Sequence, residues 1–567
     1  MTNNSFAFLA VILSLAALCP AASKPATTAD PLLETMQQEL NRGKASLAKA
    51  EPAPYFISYS VLDHKATVIV ASEGALYTST VVHRRQADVS VRVGSYKLDN
   101  THGKSSYSGL SSAELPLTDD HDAIARTLWR VTDREYKKAA QAFLKVKADQ
   151  EVRAQDEDDS DDFSSDKAQV RIEPDGAPLD LNQREWEQKL RQISAEFMKY
   201  PQVLGSTVML EGDDMEHYFV STDGARSKRP EKMIRMMMQA ETQAPDGMRL
   251  MRVETFLAPS AEKLPTVQQL SAKIEKMAKD LADLKQAKLA EPYSGPALLS
   301  GRAAAVFFHE VLGHRLEGQR QRGDEEGQTF AKKIGQEILP PFLSVVDDPT
   351  LEQLNGEDLA GWYPTDEEGE PAQKVTLIQD GVLKNFLMSR MPVHGFDSSN
   401  GHGRAQPGYL PVGRQGNLIV DSSRRLPEGE LRQKFIDEIK KQGKPYGLYF
   451  EDIEGGFTLT TRQLPQAFQV LPVMVWRVYP DGRPDELVRG VDIVGTPLAA
   501  LGHIAATGDK QYVFNGICGA ESGSIPVSAA APAMLFSEIE VQRKDQSHDL
   551  PPILPAPPLP GATAGTR

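Results

Sequence analysis

The sequence predicts an α+β fold in two parts, a mixed α/β N-terminal domain followed by an antiparallel-strand-rich C-terminal domain. Three observations predict it. Across residues 30–290, stretches with helical apolar spacing alternate with strand-like runs. From Tyr293 onward the chain shifts to short strands and turns. Within that second part a single Ala- and Phe-rich helix is expected from Arg302 to Leu316. A length of 567 residues corresponds to about two to four domains, and 40% hydrophobic residues supply a core for each.

Residues 1–22 read as a signal peptide. An apolar run from Phe6 to Leu18, about 13 residues and so short of the ~20 that span a bilayer, precedes the small residues of Cys19-Pro20-Ala21-Ala22-Ser23. The apolar run and the small residues make export to the periplasm or exterior the expectation, and the lack of a Lys or Arg before the run keeps a cytoplasmic chain as the alternative. Stable membrane insertion is not expected.

The N-terminal domain is placed at 30–290. Leu32, Leu33, Met36, Leu40 and Leu47 recur at helical spacing over 30–50, and strands follow at 55–61, 66–71, 76–83 and 89–93. A charged amphipathic helix at 124–147 runs into an acidic linker at 150–180. The run from Gln155 to Asp162 in it lacks the Gly and closing Glu of a calcium loop and reads as solvated. A helix at 182–199 precedes strands at 203–210, at 216–221 and on either side of Pro245-Asp246-Gly247. Met233, Met236, Met237 and Met238 lie in one of these strands. With no His or Cys near them they read as packing rather than copper(I) ligands. A helix at 266–290, with Leu270, Ile274, Met277, Leu281 and Leu284 on one stripe, closes the domain.

The C-terminal domain is placed at 291–545, with hairpins at Gln379-Asp380-Gly381 and Pro480-Asp481-Gly482, and the Pro-rich tail at 546–567 is expected to be disordered. A net charge of −15 with no Lys/Arg cluster argues against a nucleic-acid partner.

Chemistry concentrates at His309-Glu310-Val311-Leu312-Gly313-His314. Histidines at i and i+4 lie about 40° apart around a helix and can share a zinc ion, whereas the i+5 spacing here separates them by about 140°. The spacing therefore predicts an irregularity between Glu310 and His314, either a widened π turn or a helix loosened at Gly313. Catalytic zinc takes three protein ligands, so a third must come from elsewhere. Cys518, in a glycine-rich turn between strand-like segments, is the candidate; a small buried hydrophobe is the other reading. Thiolate plus two neutral imidazoles leaves a Zn²⁺ site with one net positive charge, which Glu310 can balance as general base. With this site, the C-terminal domain is one carrying one metal-binding helix.

The helix from His309 to Gly318, the loop Asn400-Gly401-His402-Gly403-Arg404 with Leu410-Pro411, Gly455-Gly456, the run Val488 to Gly495 and the Cys518 segment occur in an order that resembles the TldD/PmbA family of zinc metallopeptidases. The resemblance covers about 293–541. It implies a two-lobed protomer, a homodimer or a heterodimer with a PmbA-like paralogue, an active site facing an enclosed channel, and cleavage of unfolded or extended peptides. Carried over residue by residue, His309, His314 and Cys518 match the zinc ligands and Glu310 the catalytic glutamate. PmbA-like partners lack the metal motif, which sets this chain on the TldD-like side. Its N-terminal half departs from the family, so substrate and partner are not inherited. His402 and Arg404 are candidates for binding substrate, gripping the peptide or stabilising the oxyanion; the other reading makes them loop-surface residues. The expected function is zinc-dependent peptide hydrolysis. The alternatives are a catalytically inactive peptide-binding partner subunit and a zinc amidase acting on another substrate.

Overall fold

The computed structural model describes residues 30–103, 109–150, 159–322, 326–462, 467–544 and Leu554. The expected signal peptide at 1–22, the acidic run up to residue 158 and, apart from Leu554, the tail at 546–567 lie outside the described residues. Among the described residues no helix is long and apolar enough to cross a membrane.

In the N-terminal half, α1 (Pro31–Leu47) starts where Asp30 accepts the Leu33 amide and a proline takes the first helical position. Two long strands follow, β1 (Pro54–Ser72) and β2 (Ala75–Val93), joined through Glu73 and Gly74 at φ 51° and 79°. The four strands expected here are thus two. The polar stretches that suggested breaks are cross-strand ion pairing, with Asp63 on β1 accepting from His83 at 2.6 Å and from Arg85 Nε at 2.8 Å on β2. The expected strands at 203–210 and 216–221 likewise merge into β3 (Gly205–Ser221), which hairpins into β4 (Arg226–Gln243) and then β5 (Arg249–Ala258).

These five strands run antiparallel in the order β2-β1-β3-β4-β5 within a sheet of seven among the described residues, to which Val170–Ile172 adds in parallel beside β4. α1 and α2 (His121–Gln150) cover part of it, burying Leu32, Leu33, Met36 and Leu40 against Ile57, Tyr59 and Val61. α3 (Gln183–Glu196) and α4 (Val267–Gln286), the latter opened by a Thr266/Gln269 capping box, form a second core. Met236 and Met238 are fully buried in it against Leu270, Ile274 and Met277, as packing residues.

The C-terminal half is built on a mostly antiparallel sheet of thirteen strands among the described residues. Its central run is β9 (Ile504–Ala520), β10 (Gly523–Arg543), β6 (Tyr293–Leu299), β7 (Gly447–Thr458) and β8 (Phe468–Val478). Against it lies α5 (Gly301–Val311), buried at every residue except Arg302, as a helix apolar on nearly all sides must be.

The two halves meet around Arg390, whose guanidinium lies over the rings of Phe56 and Phe163 and donates to Asp223 and Ser164. This corrects the expectation that the acidic run is solvated as far as its last residue, Asp162, while residues 165–181 beyond it are exposed or half-buried. Asp162, Phe163 and Ser164 are buried, and Asp162 accepts from the Asp99 amide and from Arg322. An aromatic ring and paired charges outweigh the acidic composition there.

Candidate metal centre

The helix α5 is capped by Ser300, whose hydroxyl accepts the Ala303 amide, and it ends at Val311. Leu312 follows at φ −109° and ψ −53°, and Gly313–Leu316 form a 3₁₀ turn. The irregularity required by the i+5 spacing is present, but the backbone tightens rather than widens or loosens. The two imidazoles consequently meet with ring centroids 4.9 Å apart.

Gly313 is needed for space rather than for a left-handed backbone. A Cβ there would sit 1.9 Å from Gln415 Oε1, while Gln415 Nε2 donates to the His309 carbonyl at 3.3 Å. A single loop residue thus packs under both halves of the motif.

Cys518 lies in strand β9, paired with Ile525 of β10, and not in the expected turn. Gly516, Gly519 and Gly523 suggested a loop; they instead belong to a hairpin whose turn comes after Ala520. The Cys518 sulfur is 3.4 Å from His314 Nε2. One donor atom each from His309, His314 and Cys518 lies within 4.8 Å of the others, all three residues being buried. Glu310 places its carboxylate 3.9 Å from His314 Nε2. Gly456 of β7 allows that placement, since a Cβ at 456 would lie 2.9 Å from Glu310 Cγ.

Burial pushes the Cys518 thiol up, but His314 and His309 beside it outweigh burial and hold it well below the ordinary thiol range. Burial pulls His314 down, and Glu317 and Cys518 more than reverse that. Among the described residues, the buried Nδ1 of His309 has no hydrogen-bond partner. Two imidazoles and an acidified thiol brought within 4.8 Å of one another fit a zinc ion in their donor chemistry.

His402 and Arg404 do not join this cluster. His402 is fully buried, with Nδ1 3.0 Å from the Asn400 carbonyl and Nε2 3.3 Å from Asp347 Oδ1. Arg404 stacks over Tyr363 at 4.3 Å and donates to the Pro526 carbonyl. With these internal partners and almost no exposure, the reading of both as loop-surface residues is corrected. Asp347 also accepts the Gly416 and Asn417 amides, so His402 braces the loop that carries Arg414 and Gln415. Arg414 was not foreseen; it donates to the Cys518 carbonyl at 2.9 Å and approaches the sulfur at 3.3 Å. Glu317, within the quoted motif but unassigned from sequence, lies 3.1 Å from His314 Nδ1.

The strand-rich lobe that buries this histidine pair, glutamate and cysteine coincides with residues 292–543, which match the family described as PmbA/TldA metallopeptidase C-terminal domain. That segment, a little under half of the chain, is what carries its similarity to the TldD/PmbA family. A Haemophilus influenzae protein named metalloprotease TldD homolog is 28% identical over 251 residues, which is 43% of this chain and 48% of that protein. A Saccharolobus solfataricus protein named zinc metalloprotease TldD homolog is 23% identical over 265 residues, 46% of this chain and 54% of that protein. The chain thus spans about half the length of the curated relatives it matches. In fold the likeness reaches further: TldE from Thermococcus kodakarensis superposes with a TM-score of 0.56 at 13% identity, covering 90% of this chain and all of that one.

Proposed function

We propose that the chain is a zinc-dependent metallopeptidase of TldD type that cleaves unfolded or extended peptides. The observation that carries the reading is the convergence of His309, His314 and Cys518 beside Glu310. The name zinc metalloprotease carried by the Saccharolobus relative supports the choice of metal. Bound zinc supplies a Lewis acid that polarises a carbonyl and makes water a nucleophile near neutral pH. The two histidines and Cys518 would hold it. The Glu310 carboxylate takes the proton from the attacking water and returns it to the leaving amine.

Extended peptides suit the surroundings of Glu310. Among the described residues, Gly455 and Gly456 of β7 pair with β8 on one side and have no strand on the other. A Cβ at Gly455 would meet nothing within 4 Å, so the face of the strand is open there. A peptide could add there as a strand through backbone hydrogen bonds, which only an unfolded segment offers freely. The fold shared with a TldE supports assembly as a dimer, with itself or with a PmbA-like paralogue.

Glu310→Gln tests the reading. Zinc should stay at one equivalent while hydrolysis of a panel of unfolded peptides falls by about 10²–10⁴-fold. An unchanged rate removes Glu310 from the mechanism. A zinc-loaded wild type that leaves the whole panel intact favours an inactive partner subunit instead.

A further inference from the structure

Behind the three donor residues lies a buried network of charged side chains that peptide hydrolysis as outlined does not use. Glu317, at 0% exposure, places Oε1 3.1 Å from His314 Nδ1 and accepts from Arg320 Nε through Oε2 at 2.8 Å. Arg320 reaches onward, donating to Glu521 Oε2 at 2.7 Å. Glu521 sits in the hairpin turn that follows Cys518, and its other oxygen accepts from Gln319 at 2.8 Å. Arg414 closes the circuit, with Nε 3.6 Å from Glu317 and hydrogen bonds to Ser522 Oγ and the Cys518 carbonyl.

Stability alone is a poor account of this arrangement. Desolvating several charges costs as much as their attraction returns, and apolar replacements of buried ion pairs are often neutral or stabilising. What the network achieves is geometric. The 3₁₀ turn bearing His314 and the hairpin bearing Cys518 belong to separate elements, and the side chains joining them run through Glu317. The same carboxylate faces one ring nitrogen of His314 while the other, Nε2, faces the Cys518 sulfur. Carboxylates placed in this way behind a histidine ligand fix its tautomer and ring orientation.

We propose that Glu317 is a positioning residue of the metal centre. It accepts the Nδ1 proton of His314, aims Nε2 at the metal position, and through Arg320 and Glu521 holds the helix-borne ligand in register with the strand-borne one. The proposal rests on the metallopeptidase reading above.

The test uses the full chain, titrated with Zn²⁺ against a chromophoric chelator and with Co²⁺ to record the ligand-field and thiolate charge-transfer bands. Glu317→Ala should weaken zinc binding about 10–100-fold, the range for such outer partners, and shift the cobalt bands. Glu317→Gln, which keeps an acceptor oxygen for the Nδ1 proton, should restore most of the affinity. Zinc affinity within about twofold of wild type and an unchanged cobalt spectrum in Glu317→Ala overturn the proposal. Should that variant fail to fold because Arg320 Nε loses its carboxylate, the double variant Glu317→Met with Arg320→Met removes both charges and is read by the same two criteria. A wild type that takes up no zinc, or a Cys518→Ser variant that binds it unchanged, brings down the metal-centre reading itself and this proposal with it. The two failures are therefore distinguishable.

Discussion

Two buried histidine sites in the C-terminal half resemble one another in composition and differ in what they leave unsatisfied. At the first, both ring nitrogens of His402 face oxygen atoms, and Asp347 opposite it also accepts two backbone amides. At the second, His309 Nδ1 is buried without a partner, and an acidified thiol and a carboxylate stand nearby. Burial and residue type are common to both sites. The convergence of two imidazoles and a thiol within 4.8 Å marks the second as the one built for a ligand.

The contrast can be broken most severely at Cys518. Cys518→Ser should weaken zinc binding by more than about 100-fold, beyond the loss typical of an outer partner, with peptide hydrolysis falling alongside. Chelator competition measures it, and full-affinity binding by the variant would erase the distinction between the sites. His402→Ala should do the reverse. Its expected cost is about 1–3 kcal/mol of stability, read from denaturant midpoints, with zinc still at one equivalent. Loss of zinc at normal stability would make His402 part of the centre after all.

The smallest effect concerns the carboxyls beside the His402 loop. Burial pushes Glu368 and Glu370 up to about 7, against an ordinary value of 4.5. Between those values the folded chain holds protons that the unfolded chain has released. Their contribution to stability is therefore fully present below about pH 4.5 and is lost as pH rises through about 7. Thermal midpoints recorded from pH 5 to pH 8 should decline more steeply for wild type than for Glu370→Gln; parallel profiles would show that Glu370 does not titrate in that window.

Legibility followed the kind of signal each segment carries. Helices α1 and α4 were readable because Leu32, Met36 and Leu40, or Leu270, Ile274 and Met277, repeat at the helical period and pack on a single face. The long strands were read as fragments because Asp63 and Arg85 interrupt the apolar alternation while stabilising the hairpin through an ion pair. Of the site, the His309–His314 spacing announced both a ligand pair and a bent helix, since geometry allows one only with the other. The strand position of Cys518 was hidden by its neighbouring glycines. Arg414 and Gln415 gave no local signal at all, because the loop that delivers them is held by Asp347 from a distant strand.

His314 and Cys518 stand 204 residues apart along the chain. An ion shared between them would close that span into a loop, withdrawing conformational freedom from the unfolded polypeptide much as a disulfide does. In a sequence with two cysteines in all, one thiolate would then serve both as catalytic ligand and as covalent-like staple. The unfolding temperature would accordingly climb with the concentration of free ion.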